Sequence, residues 1–150
     1  MNIHFLHGTE TGTAEFLCDD LKAEVPDEHT SAISSLTDTS PADLEAGTFY
    51  IVVSSTFGSG DVPDTAKSFY EALTEGKPDL SHVSFAIFGL GDMSFGETYN
   101  GGSEKLMAAL TGCGARMVGE RGLFDASTPD MPEDIAVPWM EGLLAELAPA

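Results

Sequence analysis

Residues 2–15 read NIHFLHGTETGTAE. The apolar run NIHFL passes directly into Gly8-Thr9-Glu10-Thr11-Gly12-Thr13-Ala14. Residues 13–24, TAEFLCDDLKAE, then repeat apolar side chains at helical spacing, which places Phe16, Leu17, Leu21 and Val25 on one expected face. The pattern is a short buried strand, a glycine-threonine loop and a helix. A helix N-terminus carries unpaired N–H groups and a partial positive charge, so such a loop suits an anion. It holds no lysine, which excludes the nucleoside-triphosphate loop GxxxxGK[ST], and it is not GxGxxG. A phosphate held by backbone amides and threonine hydroxyls is one reading. A plain strand-to-helix turn is the other, and the rest of the chain decides between them.

Working outward, HTSAISSL (29–36) reads as a weak strand and TFYIVVSS (48–55) as a strong one. VSFAIFGLG (83–91) is a further buried strand, and ARMVGERGLF (115–124) an irregular one. Helices are expected at 65–74, at 102–114 with Gly112 and Gly114 as its stop, and at 132–147, where Pro138 should confine the regular part to the later residues. A helix at PADLEA (41–46) would complete five βα units. Continuous apolar strands alternating with amphipathic helices imply an α/β chain, a five-stranded parallel sheet doubly wound into three layers. The ligand site of such a sheet lies in the loops at the carboxyl ends of its strands.

The 150 residues suit a single domain spanning 1–150. No apolar run approaches the length of a membrane helix, and the N-terminus lacks the pattern of a signal peptide. Cys18 and Cys113 have no metal spacing and read as buried free thiols, which with the rest implies a cytoplasmic protein. Acids outnumber bases 25 to 6, for a net charge of −19, and they are spread along the chain. An acidic surface of that kind excludes nucleic acid and anionic membranes as partners and attracts basic proteins, or else serves solubility alone.

Three glycine-rich segments fall at strand ends: HGTETGTAE, SSTFGSGDVPD (54–64) and GLGDMSFGETYNGG (89–102). Two of them set an aromatic beside glycine, Phe57-Gly58 and Phe95-Gly96, with Tyr99 beyond. Paired aromatics on converging loops, opposite a phosphate nest, suit a flat cofactor that bears a phosphate.

These three segments, in this order, resemble the FMN-binding segments of flavodoxins, of the short-chain MioC type and of the FMN domains of diflavin reductases. The resemblance covers the whole chain. It implies FMN as cofactor, with Thr9, Glu10, Thr11, Gly12, Thr13 and Ala14 around the phosphate. Ser54, Ser55 and Thr56 would open the second loop, with Phe57 on the inner flavin face. Gly58, followed by Gly60, would sit where the peptide turns over as flavin N5 gains a proton. Gly89, Leu90, Gly91 and Asp92 would start the third loop, with Phe95 on the outer face and Tyr99 and Asn100 after it. Both stacking positions are phenylalanine here, where relatives usually carry tyrosine or tryptophan. Tyr99 lies one residue further from Asp92 than in many relatives, so it competes with Phe95 for the outer face.

The implied activity is single-electron transfer between a reductase and an acceptor, both basic-surfaced, by a monomer with no catalytic and no metal-binding residue of its own. Asp61, Asp64, Asp92 and Glu97 would oppose negative charge on the reduced ring. A flavin-dependent NAD(P)H quinone or azo reductase is the alternative. A response-regulator receiver would need clustered aspartates at the end of the first strand, and HFLHG has none. Of the four histidines only His7 stands near the phosphate loop.

Overall fold

The computed structural model describes residues 2–8, 12–55, 62–91, 101–125 and 128–147. The apolar runs form β1 (Asn2–Gly8), β2 (Thr30–Ser35), β3 (Thr48–Ser55) and β4 (Ser84–Gly91), and two short pieces follow, β5 (Arg116–Met117) and β6 (Gly122–Asp125). The helices are α1 (Thr13–Ala23), α2 (Asp64–Gly76), α3 (Gly101–Gly112) and α4 (Pro132–Leu147). All strands are parallel, in the order β2-β1-β3-β4, and β5 and β6 follow one another along the same edge of β4. The sheet therefore has the five expected strand positions, the last of them broken.

Strand alternation sends side chains to two cores. Ile3, Phe5, Ile51, Val53 and Phe88 pack with Leu17 and Leu21 of α1 and with Met140 and Leu143 of α4. Leu6, Tyr50, Val52 and Ile87 pack with Phe69 and Leu73 of α2 and with Leu106 and Leu110 of α3. The result is three layers, and each fully buried aliphatic or aromatic side chain stabilises them by about 1.5–3 kcal/mol. β2 is the terminal strand. Its residues, TSAISS, are half-buried or exposed, and Ile33 is its one large apolar side chain.

Several expectations need correction. In α1 the core stripe runs through Ala14, Leu17, Cys18 and Leu21, so Phe16 falls off it and is 70% exposed, while Val25 does pack against the core. Residues 41–46 form no α-helix. Two single-turn 3-10 helices, Leu36–Asp38 and Pro41–Asp43, connect β2 to β3 instead. Side-chain caps close these short turns: Ser35 Oγ accepts from Thr37 N (3.1 Å), Ser40 Oγ from Ala42 N (3.4 Å), and Asp43 Oδ2 from Ser40 N (3.1 Å). Pro138 does not confine α4, which is helical throughout. Proline lacks the N–H that would bond the carbonyl of Asp134, and both residues are exposed, so the turn faces solvent where the cost of that loss is small. Gly112 lies within α3, and Gly114, at φ +94°, supplies the left-handed stop alone. Of the two free thiols Cys18 is buried and Cys113 only half-buried.

The break at the fifth position spans residues 118–121. Gly119 bends the chain at φ +71°. Val118 N donates to Phe85 O (2.8 Å), Trp139 Nε1 to Glu120 O (3.1 Å) and Arg121 Nη1 to the fully buried Ser103 Oγ (2.9 Å). Trp139 also packs on Phe88, with ring centroids 5.2 Å apart. The backbone at Gly122 runs so close beneath both rings that a Cβ there would lie 2.4 Å from Phe88 Cδ2 and 2.9 Å from Trp139 Nε1.

Candidate functional site

The strands end level at one edge. Gly8 is opposite Ser54, Ser54 opposite Gly89, Ser55 opposite Leu90, and Gly91 opposite Asp125. The chain winds outward from β1 to β2 and then, from β3 onward, in the other direction. The crevice at this reversal lies beyond the ends of β1 and β3, where doubly wound sheets bind ligands. All three glycine-rich segments leave from this edge.

The first segment enters α1 through Gly12, whose left-handed backbone (φ 89°, ψ −5°) suits glycine and whose carbonyl accepts from Phe16 N (3.0 Å). Thr13 is exposed on the first turn, and Ala14 is fully buried beneath it. Just before the loop, Gly8 brings β1 close to the start of α2. A Cβ at Gly8 would stand 3.0 Å from Ala66 Cβ, 3.2 Å from Leu36 Cδ1 and 3.4 Å from Pro63 Cγ.

At the second segment Ser54 is fully buried, and its hydroxyl donates to Ser55 O (2.9 Å). That proton holds the strand end, which leaves Ser55, half-buried at the rim, as the more accessible hydroxyl. At the third, Gly89 and Leu90 are buried and Gly91 is half-buried. The helix after this loop, α3, is held at its first turn by the Arg121–Ser103 hydrogen bond. No spacing rule links those two residues, and the sequence reading had no signal for them. The positions assigned at Thr9, Glu10, Thr11, Thr56, Phe57, Gly58, Gly60, Asp92, Phe95, Tyr99 and Asn100 lie outside the described residues, as do Asp61 and Glu97.

His7 lies in the buried run of β1, one residue before its end at Gly8. It is 8% exposed, and its Nδ1 is buried without a hydrogen-bond partner among the described residues. Burial lowers its proton affinity below the ordinary imidazole value and outweighs the opposite pull of Glu15, Asp19 and Asp38. The ring is therefore neutral at neutral pH. Cys18, deeper on α1, has its thiol pushed up by burial first and by Asp19 and Glu15 after it, so it is a packing residue and not a nucleophile.

Backbone donors at the start of a helix, hydroxyls at Thr13 and Ser55, and a crevice at the reversal point fit a phosphate ester carried at α1. Among the described residues no helix is long and apolar enough to cross a membrane. Among them, too, no group of three or more His, Cys, Asp and Glu could hold a metal ion.

Comparison with known proteins gives concordant results. Residues 6–139 match the family described as Flavodoxin. The chain is 38% identical over 139 residues to the protein MioC of Escherichia coli strain K12, covering 93% of each. It is 31% identical over 151 residues to the NADPH-dependent diflavin oxidoreductase 1 of Schizosaccharomyces pombe, covering 98% of this chain and 26% of that one. Among solved structures, a cysteine-to-alanine mutant of flavodoxin from Pseudomonas aeruginosa superposes with a TM-score of 0.83 at 30% identity, over 98% of this chain and 99% of that one.

Proposed function

The chain belongs to the flavodoxin family, and on that premise we propose how its residues carry out FMN-dependent electron transfer. It is an FMN-binding electron-transfer protein. FMN, when bound, supplies the redox chemistry by accepting and releasing electrons one at a time. The chain's own residues bind and orient the cofactor and shape its surroundings. Thr9, Glu10, Thr11, Gly12, Thr13 and Ala14 hold the phosphate through backbone N–H groups and threonine hydroxyls. Ser55 and Thr56 add hydroxyls, while Ser54 fixes the strand end behind them. Phe57 covers the inner face of the ring and Phe95 the outer, with Tyr99 next along the loop. Gly58 and Gly60 let the second loop approach the ring edge, and Gly89, Leu90, Gly91, Asp92 and Asn100 shape the third.

The level ending of β1, β3 and β4 at the reversal point supports this reading, because all three segments leave the sheet from that one edge. The whole chain acts as a single cytoplasmic domain and as a monomeric carrier. Its partners, a reductase and an acceptor, present basic surfaces. Lys22 in the last turn of α1, Lys77 just past α2 and Arg116 at the start of β5 stand at the opposite edge of the sheet, away from the crevice. Lys67 in the first turn of α2 and Lys105 in α3 stand nearer the crevice, so the steering of basic partners rests on the net charge of −19.

The test is differential binding. Thr11→Ala with Thr13→Ala weakens FMN about tenfold or more and riboflavin little, because riboflavin lacks the phosphate the two hydroxyls serve. Equal losses for both ligands remove the phosphate assignment. NADPH alone gives no steady-state turnover with a carrier, and sustained turnover identifies a reductase instead.

A further inference from the structure

The break at the fifth strand position sends its side chains to opposite faces of the sheet. A Cβ at Gly122 would meet Phe88 and Trp139 on the face that α1 and α4 cover, and Phe124 packs into that same core. Strand alternation turns Arg121 to the other face, where Leu106 and Leu110 of α3 lie. There its Nη1 donates to Ser103 Oγ (2.9 Å). The arm toward α4 holds the sheet edge. The arm toward α3 reaches the helix that begins where the third glycine-rich segment ends.

Ser103 stands with Leu106 and Leu110 at i, i+3 and i+7, on the core-facing stripe of α3, and it is fully buried. An apolar side chain at such a position stabilises a helix more than a serine does. A guanidinium is in turn disfavoured at the first turn of a helix, where the macrodipole is positive. Neither residue is the choice that packing or helix electrostatics alone favours. What the pair achieves is position. Ser103 follows Asn100 by three residues, so the hydrogen bond pins the exit of the segment that carries Phe95, Tyr99 and Asn100. Its entry is pinned by β4, where Leu90 is buried between Ser55 and Phe124.

On the reading that this segment covers the flavin ring, we propose that Arg121 is a positioning residue for the ring. It acts through Ser103 and the first turn of α3, which set where the third segment meets the ring, and not through its charge. The α4 arm of the same break, at Gly122 and Trp139, takes no part in this.

The experiment compares three variants of the full chain. Ser103→Ala removes the acceptor and keeps the guanidinium. Arg121→Met removes both donor and charge, and Arg121→Lys keeps the charge and a donor. FMN and riboflavin are titrated into each, and the two one-electron midpoint potentials of each FMN-loaded protein are measured. Ser103→Ala and Arg121→Met each weaken both ligands by the same factor, about fivefold, and move the potentials in the same direction, while Arg121→Lys recovers most of the affinity. Lower stability with unchanged affinities and potentials overturns the proposal, because the contact then serves the fold alone. A loss confined to FMN also overturns it, by placing the effect at the phosphate. Potentials that move in Arg121→Met but not in Ser103→Ala overturn it in favour of a charge effect. Should Arg121→Met fail to fold, Ser103→Ala, which removes one oxygen, decides the matter with Arg121→Lys. A wild-type chain that takes up neither ligand removes the FMN reading and the role of Arg121 with it, whereas uptake of both with unaffected variants removes only the latter.

Discussion

The end of β1 and the fifth strand position are both places where a regular apolar run gives way, and they give way differently. At the fifth position three of the four residues of the break are tied back into the chain: Val118 to Phe85, Glu120 to Trp139, Arg121 to Ser103. At the end of β1 a histidine is buried with an unpartnered nitrogen, and a glycine is pressed against α2. A break that the chain satisfies for itself is architecture. A break left with a buried ring nitrogen unpartnered among the described residues, beside a loop that leads into a helix N-terminus, is one the chain does not close with its own hydrogen bonds.

The strongest test of that contrast is Gly122→Val. Its side chain collides with Phe88 and Trp139 in a position the chain has already filled. The expected loss is about 3 kcal/mol, at the upper end for overpacking a core. Denaturant unfolding measures it, and FMN affinity under folding conditions should change little. A loss below about 1 kcal/mol would mean that the fifth position is loosely packed and the contrast false.

Gly8→Ala comes next. Its Cβ meets Ala66, Leu36 and Pro63 at 3.0–3.4 Å, so α2 and the end of β1 move apart by tenths of an ångström. Stability should fall by about 1–2 kcal/mol. Unlike Gly122→Val, this change reaches the phosphate loop, and titration should show weaker FMN binding as well. Loss of stability with unchanged FMN affinity would make the two breaks equivalent.

Trp139→Phe keeps an aromatic against Phe88 but removes the donor to Glu120 O. The cost should be about 1 kcal/mol, and a value near zero in thermal unfolding would show that this hydrogen bond does not hold the break.

His7→Phe should have the smallest effect at pH 7.5, within about 1 kcal/mol either way, because an unpartnered buried polar atom is exchanged for an apolar one. Its signature is in the pH dependence. His7 has a folded-state affinity for protons below the ordinary value of 6.5, so between those two values the unfolded chain binds more protons than the folded one. Stability from this group is complete above about pH 6.5 and is lost as pH falls through that window. Melting temperatures measured from pH 7.5 down to 5.5 should fall less steeply in His7→Phe than in the wild type. A residual slope remains from His4, whose proton affinity burial also lowers. Superimposable slopes would show that His7 is not charged at a cost in the folded state.

The sequence disclosed most of the fold because the central strands write their burial directly. TFYIVVSS and VSFAIFGLG are apolar runs with both faces covered, and they became β3 and, one residue shorter, β4. The misreadings came where two physical readings compete. Phe16 belongs to an apolar set that could be drawn at helical spacing, yet Ala14 and Cys18, smaller and less conspicuous, take the buried stripe. Pro138 signals a break, but on a solvent-facing turn the lost bond costs little. A helix at 41–46 would complete five βα units, but side-chain caps at Ser40 and Asp43 close a single turn there instead. For the site, Gly12 was legible because a left-handed position before a helix calls for glycine. Ser54, expected with Ser55 and Thr56 to open the second loop, is fully buried between Gly8 and Gly89, and no local pattern announces that burial. His7 drew attention only by its place in the chain. Its burial, its carboxylate neighbours and the Arg121–Ser103 contact arise from tertiary proximity, which no local pattern encodes.

The terminal strand β2 has a further consequence. It ends the sheet with backbone groups on its outer side, the kind of row on which another chain can add a strand. Its side chains supply little to hold such an intruder, since serines, a threonine and an alanine surround the single Ile33. Electrostatic repulsion between copies does the rest, because each carries a net charge of −19. This defence against aggregation is written in carboxylates, so it is strongest at neutral pH and low salt. It fades in acid, as the carboxylates take up protons while the edge itself stays in place.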